Sequence, residues 1–131
     1  MVEALNRGKQ IDFVAVDAFP WTDTWRNFTS HMRPLEGKYR AIIGDSAGSA
    51  RQFADSSVDF VFLDADHTYQ AIRRDIDAWL PKVRPGGIIA GHDYNHPWNG
   101  VITAVNETFG DLVMPIVSDD NPNFFCWKVQ L

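Results

Sequence analysis

Apolar runs alternating with helical stripes predict an α/β fold: a mainly parallel sheet with helices on both faces, closed by an antiparallel hairpin. Short runs rich in β-branched and aromatic residues recur along the chain, and the segments between the first four carry helical periodicity. The last two runs are too close together for a crossover helix.

The strand runs are Ile11 to Val16, Tyr39 to Ile43, Val58 to Leu63, Gly87 to Ala90, Leu112 to Val117 and Phe124 to Val129. Ahead of them, Val2 and Leu5 read as the end of a helix stopped by Gly8. After the first strand, Trp25, Phe28 and Met32 recur at helical spacing behind Thr22, a candidate cap. Tyr69, Ile72, Ile76, Trp79 and Leu80 form the strongest stripe, with Arg73, Arg74, Asp75 and Asp77 expected on the polar face. Val101, Ile102, Val105 and Phe109 form the third, ended by Gly110. Val58 to Leu63 and Gly87 to Ala90 are almost unbroken apolar, as strands covered on both faces are. Pro85-Gly86-Gly87 is expected as a tight turn feeding the second of these. Only Ser118 to Asn123 separates the final strands, which should therefore pair antiparallel, and Pro115 places the first of them at a sheet edge.

The 131 residues give room for one domain with one core. A net charge of -5 argues against a nucleic-acid surface, which needs a basic face. No apolar run is long enough to cross a bilayer, and no segment reads as a signal peptide. The single cysteine, Cys126, excludes an internal disulfide and fits a reducing, cytoplasmic setting.

Ligands of open parallel sheets bind beyond the carboxyl ends of the strands. Four successive strands here end in or just before an aspartate: Asp17, Asp45, Asp64 and Asp93. A ligand site and a row of helix caps both account for this. A ribose diol, an amino group or a divalent cation would offset the mutual repulsion of a ligand-binding row. Asp64-Ala65-Asp66-His67 is the densest constellation, with Asp66 or Thr68 as alternative caps of the following helix. Histidine exchanges protons near neutral pH, which suits His67 to acid–base work. Gly91-His92-Asp93-Tyr94 is the second cluster. Asp64 and Asp93 would hold magnesium through oxygen, whereas His67 or His92 as a ligand would shift preference to manganese, iron or zinc. The loop Phe19-Pro20-Trp21 either stacks on a ligand or packs as core. His96 reads as a solvent-exposed loop residue.

The stretch VDFVFLDADHTYQAIRRDIDAWLPKVRPGGIIAGHDYN, from Val58 to Asn95, resembles class I S-adenosylmethionine-dependent methyltransferases, nearest the macrocin-type and catechol-type O-methyltransferases. The resemblance extends through Val16-Asp17 and Gly44-Asp45-Ser46 upstream and through the final hairpin downstream, and implies a Rossmann-like fold. It further implies that Asp17 holds the cofactor's ribose, that Asp45 faces its adenine and that Asp64 belongs to the same cofactor site. Asp64 and Asp93 would match the metal-binding aspartates of the cation-dependent members. His67 falls where catechol-type enzymes carry a catalytic lysine, and would deprotonate an acceptor hydroxyl before in-line methyl transfer. The implied partner is a small-molecule substrate.

Two positions depart from the family pattern. The asparagine that follows the second metal aspartate is replaced by Tyr94, with Asn95 one step later. The family's first strand and its Glu-x-Gly-x-x-x-Gly loop are not found, so residues 1–131 read as a single truncated domain starting inside the next helix. That strand normally lies between those ending in Asp17 and Asp64, and its slot invites pairing with another chain, which predicts a homo-oligomer. The readings are therefore an O-methyltransferase, a non-catalytic binding or oligomerising module derived from one, or a metal-dependent enzyme using the Asp64, His67 and Asp93 rim.

Overall fold

The structure is a computed structural model, described for residues 11–19, 21–121 and 124–131. The helix end expected around Val2, Leu5 and Gly8 lies outside these residues. Two compact units divide the chain, the first closing at Ser49 and the second running Ala50–Leu131.

In the first unit, β1 (Phe13–Asp17) and β2 (Tyr39–Ile43) run parallel, with Phe13 opposite Tyr39 and Asp17 opposite Ile43. They are joined through α1 (Thr22–Met32), and a short α2 (Ser46–Ser49) follows β2. Met32 and Leu35 are buried, with Phe13, Phe28 and Tyr39 packed against them. The stripe read from Trp25, Phe28 and Met32 is thus the packing face, since residues three and four apart share one side of a helix. Thr22 is not the cap. The Thr24 hydroxyl and the Trp25 N–H both bond to the Trp21 carbonyl, which carries the ladder one residue further back.

The second unit contains β3 (Val58–Leu63), α3 (Tyr69–Trp79), β4 (Val83–Gly91), α4 (Asn99–Phe109), β5 (Met114–Val117) and β6 (Phe125–Gln130). The strand order is β3-β4-β6-β5. β3 and β4 are parallel, while β6 runs antiparallel to both β4 and β5. The closing hairpin and the edge position of Pro115 follow from the short connection and the missing proline donor.

Pro85-Gly86-Gly87 lies within β4 rather than ahead of it. Val58 faces Val83 but Phe60 faces Ile88, so the tripeptide is an irregularity that the strand absorbs. Gly86 sits at φ +78 and donates its N–H to the Leu131 carbonyl at 2.7 Å. A glycine tolerates that conformation without a Cβ clash. Leu131 returns a hydrogen bond to the Gly87 carbonyl at 3.0 Å, so the last residue of the chain pins the irregular segment.

Val61, Leu63, Ile89, Ala90, Trp127 and Val129 form the buried part of this sheet, and Ile72, Ile76, Trp79, Val101, Val105 and Phe109 supply buried positions on the helices. Asp75, expected on the polar side of α3, is buried at 2% exposure. It stands three residues after Ile72 and so shares the apolar stripe. Phe60 and Phe62 point away from the buried positions of β3, stack with centroids 6.3 Å apart, and stay 46% and 42% exposed. Among the described residues no strand pairs with the outer edge of β1 or of β3. No helix among them is long and apolar enough to cross a membrane.

Candidate functional site

The carboxyl ends of β3 and β4 are tied by a hydrogen bond from the His92 N–H to the Leu63 carbonyl at 3.1 Å. Gly91 permits this approach, because a Cβ there would stand 2.7 Å from the Leu63 carbonyl and from Trp127 Nε1. The chain following each strand therefore emerges side by side, Asp64 from β3 and Asp93 from β4.

Between Asp64 and α3 the loop is held by its own side chains. Thr68 caps α3, its Oγ1 accepting from the Ala71 N–H at 3.4 Å. Asp66 Oδ1 accepts the Thr68 N–H at 2.8 Å, a bond that holds its carboxyl below the ordinary carboxylate range. Asp66 is thus a turn residue. His67 turns the other way: its Nε2 lies 2.7 Å from Asp93 Oδ2 and 3.6 Å from Asp64 Oδ1. Asp93 Oδ2 also lies 3.2 Å from His92 Nδ1. Asp93 itself adopts φ +57, the left-handed region that asparagine and aspartate enter more readily than other side chains.

One ligand atom from each of Asp64, His67 and Asp93 lies within 4.8 Å of the others. His67 Nε2 is shut off from solvent, yet no hydrogen bond of acceptable angle satisfies it despite the short distance to Asp93. The imidazole and the two carboxylates thus lie close together without a hydrogen bond that satisfies Nε2, an arrangement suited to a cation or a shared proton. The Asp64 side chain is 53% exposed while those of His67 and Asp93 are 25% and 19% exposed, so the cluster is open on the Asp64 side.

Aromatic rings border the cluster. Trp98 lies 4.7 Å from the His67 ring, centroid to centroid, and Phe124 lies 5.7 Å from His92. Cys126 is buried, and burial, with smaller contributions from Asp64 and Asp93, pushes its thiol above the ordinary range. Tyr94, which stands where the resemblance would place an asparagine ligand, donates its hydroxyl to Asn106 Oδ1 on α4 at 2.7 Å. Asn95 Oδ1 is enclosed without a hydrogen-bond partner among the described residues.

Asp17 and Asp45 belong to the first unit. Asp17 ends β1, and its Oδ1 accepts the Phe19 N–H at 2.7 Å. Asp45 Oδ1 accepts the Gly48 N–H at 2.9 Å, the helix-cap geometry that the sequence left open. Trp21 is 70% exposed, while Phe19 packs on Trp25 and Phe28 at centroid distances of 4.8 and 5.2 Å. His31 Nδ1 bonds to the Asn27 carbonyl at 2.7 Å within α1, and His96 is exposed. The contact of Trp98 with His67 had no signal in the sequence, because a tryptophan ahead of a helix reads as cap-region packing and its partner lies 31 positions away.

Known proteins resemble this chain across most of its length. It superimposes on CalS11, a TDP-rhamnose 3'-O-methyltransferase of calicheamicin biosynthesis, with a TM-score of 0.66 and 15% identity, over 91% of this chain and 57% of that one. The O-methyltransferase from Bacillus cereus, solved in complex with SAH, gives a TM-score of 0.64 and 18% identity over 92% of this chain and 63% of that one. The chain thus spans less than two thirds of either structure. A 39-residue stretch, 30% of the chain, is 38% identical to the uncharacterised protein y4gI of Sinorhizobium fredii (strain NBRC 101917 / NGR234), of which it covers 4%. The folds agree in the Rossmann-like sheet and the C-terminal antiparallel hairpin. The family model described as a methyltransferase domain matches residues 1–94, a span that includes Asp17, Asp45, Asp64, His67 and Asp93, and the chain belongs to that methyltransferase-domain family.

Proposed function

We propose that this chain carries out S-adenosylmethionine-dependent O-methyl transfer to a small molecule. The observation that carries the reading is the convergence of His67 Nε2 on Asp64 and Asp93, outside hydrogen-bond geometry, at paired strand ends of a methyltransferase-family fold. The residues fit both groups that this chemistry needs. Asp64 and Asp93 offer hard carboxylate oxygens, which favour magnesium. Asp17 is exposed at the end of a parallel strand, with one carboxylate oxygen used by the Phe19 turn and the other suited to ribose hydroxyls. By the family resemblance Asp45 would serve the adenine of the cofactor, and Asp64 would serve the cofactor as well.

Bound S-adenosylmethionine supplies the electrophilic methyl, and a bound divalent cation makes an acceptor hydroxyl more acidic. Asp64 and Asp93 would hold that cation. His67 would take the hydroxyl proton at Nε2, where the carboxylates 2.7 and 3.6 Å away stabilise the resulting imidazolium. Fixing the acceptor oxygen in line with the methyl would supply much of the rate by proximity. The acidic composition and lone buried cysteine fit a small-molecule acceptor, not a nucleic acid, in a reducing cytoplasm.

A second reading draws on the mutual spacing of the three donors. If His67 is itself a ligand, the set suits manganese, iron or zinc, and the chain is a metal-dependent enzyme without an adenosyl cofactor.

Calorimetric titration with S-adenosylmethionine and S-adenosylhomocysteine, each with and without magnesium, separates these readings. Micromolar binding that weakens in Asp17→Ala is the expected outcome. Metal binding without adenosyl binding would favour the second reading. No heat from either ligand or metal, in a folded protein, would leave a non-catalytic module of methyltransferase descent.

A further inference from the structure

The start of α4 is pressed against the loop that carries His67. A Cβ on Gly100 would stand 2.7 Å from the Tyr69 nitrogen and 2.9 Å from the His67 carbonyl, so only glycine allows the two backbones this close. Trp98 precedes that glycine and is fixed through its own backbone. Its N–H donates to the Asn95 carbonyl at 2.7 Å, and its carbonyl accepts from Val101 at 3.0 Å as the first turn of the helix begins. Further along, the helices are clamped by the Tyr69 hydroxyl on Glu107 at 2.6 Å and by Arg73 on Thr108 at 2.5 Å.

The consequence falls on the His67 ring. Trp98 packs on it at 4.7 Å with an interplanar angle of 38°, while Asp93 Oδ2 lies 2.7 Å from Nε2. Trp98 nonetheless remains 42% exposed, an expensive placement for so large an apolar ring unless the contact or a ligand uses it. Neither carboxylate orients His67 by a well-angled hydrogen bond, as the unsatisfied Nε2 makes plain. The indole is the ring that packs on the imidazole, at 4.7 Å between centroids.

We infer that Trp98 is a positioning residue, which holds the His67 imidazole so that Nε2 faces the gap between Asp64 and Asp93. The inference rests on the function proposed for His67, and acts through that residue rather than by contact with a reacting atom. Trp98→Ala frees the ring to rotate away, and Trp98→Phe keeps an aromatic wall.

The test is manganese binding by the full chain, followed by calorimetry, beside the imidazole nitrogen resonances of His67. Removing a group that orients a ligand commonly weakens metal affinity by about 10- to 100-fold. Where His67 ligates the ion, a loss of about tenfold or more in Trp98→Ala, with Trp98→Phe within about threefold of the parent, is expected. Parent-like affinity in Trp98→Ala means that His67 does not ligate the ion, and the resonances then decide. If the parent binds no manganese, the metal part of the proposed function fails, and the resonances decide. A single tautomer pattern in the parent that averages in Trp98→Ala and returns in Trp98→Phe sustains the positioning role. A pattern unchanged in Trp98→Ala overturns it.

Discussion

The Nε2 atom of His67 lies 2.7 Å from Oδ2 of Asp93, a residue that holds a left-handed backbone conformation at φ +57. Such a conformation costs a side-chain-bearing residue about 1–2 kcal/mol, and its commonest occurrences among non-glycine residues are at asparagine and aspartate.

Asp93→Asn should therefore separate charge from conformation. Asparagine tolerates the left-handed region, so thermal unfolding should shift little. Divalent-cation affinity measured by calorimetry should fall by about tenfold or more, since a charged oxygen ligand is lost. Asp93→Ala should lose the same affinity and also unfold at a lower temperature. Retained affinity in Asp93→Asn would remove Asp93 from the proposed cation site.

Gly91→Ala tests the coupling of the two strand ends. The added methyl would meet the Leu63 carbonyl and the Trp127 indole, each at 2.7 Å or nearly so, inside a buried sheet. Overpacking of this kind typically costs about 1–3 kcal/mol, and here it would also part Asp64 from Asp93. Denaturant unfolding and cation titration should deteriorate together. A variant of parent stability would show that β3 and β4 approach less closely than 2.7 Å contacts require.

Tyr69 predicts a pH dependence with a definite sign. Its hydroxyl donates to Glu107, and this bond raises the phenol above its ordinary value of 10.0. A group whose folded value is raised contributes stability in full below the unfolded value and loses it as pH rises through the folded one. Tyr69→Phe should thus lower the melting temperature at neutral pH, with the difference from the parent shrinking as pH climbs past 10.0. A difference that grows with alkalinity would contradict the assigned donor.

Among the described residues no strand pairs with the free edge of β3, and Phe60 and Phe62 are exposed on one face of that strand. Open edges of this kind pair with other chains unless something blunts them. We expect a homo-oligomer, most simply a dimer, and Phe60→Lys should weaken it. Sedimentation that finds only monomer at high micromolar concentration would exclude the association.

What could be read from the sequence was whatever repeats at short range. The stripe Ile72, Ile76 and Trp79, the helix stop at Gly110, the hairpin joining the last two strands and the edge position of Pro115 all follow from period, turn length and missing donors. Asp64 and Asp93 were legible as strand-end aspartates because strands of a parallel sheet present their carboxyl ends to the same rim. Three features escaped. Asp75 looked solvent-facing because a charge is usually read as outward, although its spacing from Ile72 puts it on the buried stripe. Pro85-Gly86-Gly87 looked like a turn because its residues favour one, but hydrogen bonds with Leu131, the far end of the chain, draw it into β4. The indole of Trp98 gave no sign of its partner, since nothing local distinguishes a ring that packs from a ring that orients.

By itself, then, the sequence determined the kinds of element, their order, and which aspartates stand at strand ends, because these depend on periodicity and on groups a few residues apart. Only the tertiary structure decided that His67 Nε2 would meet Asp93 without satisfying it, and that Gly100 would bring Trp98 over the same ring. Those relations need two strands and two helices to be packed at once. Their distances are set by close contacts between backbones remote in sequence, which no local pattern encodes.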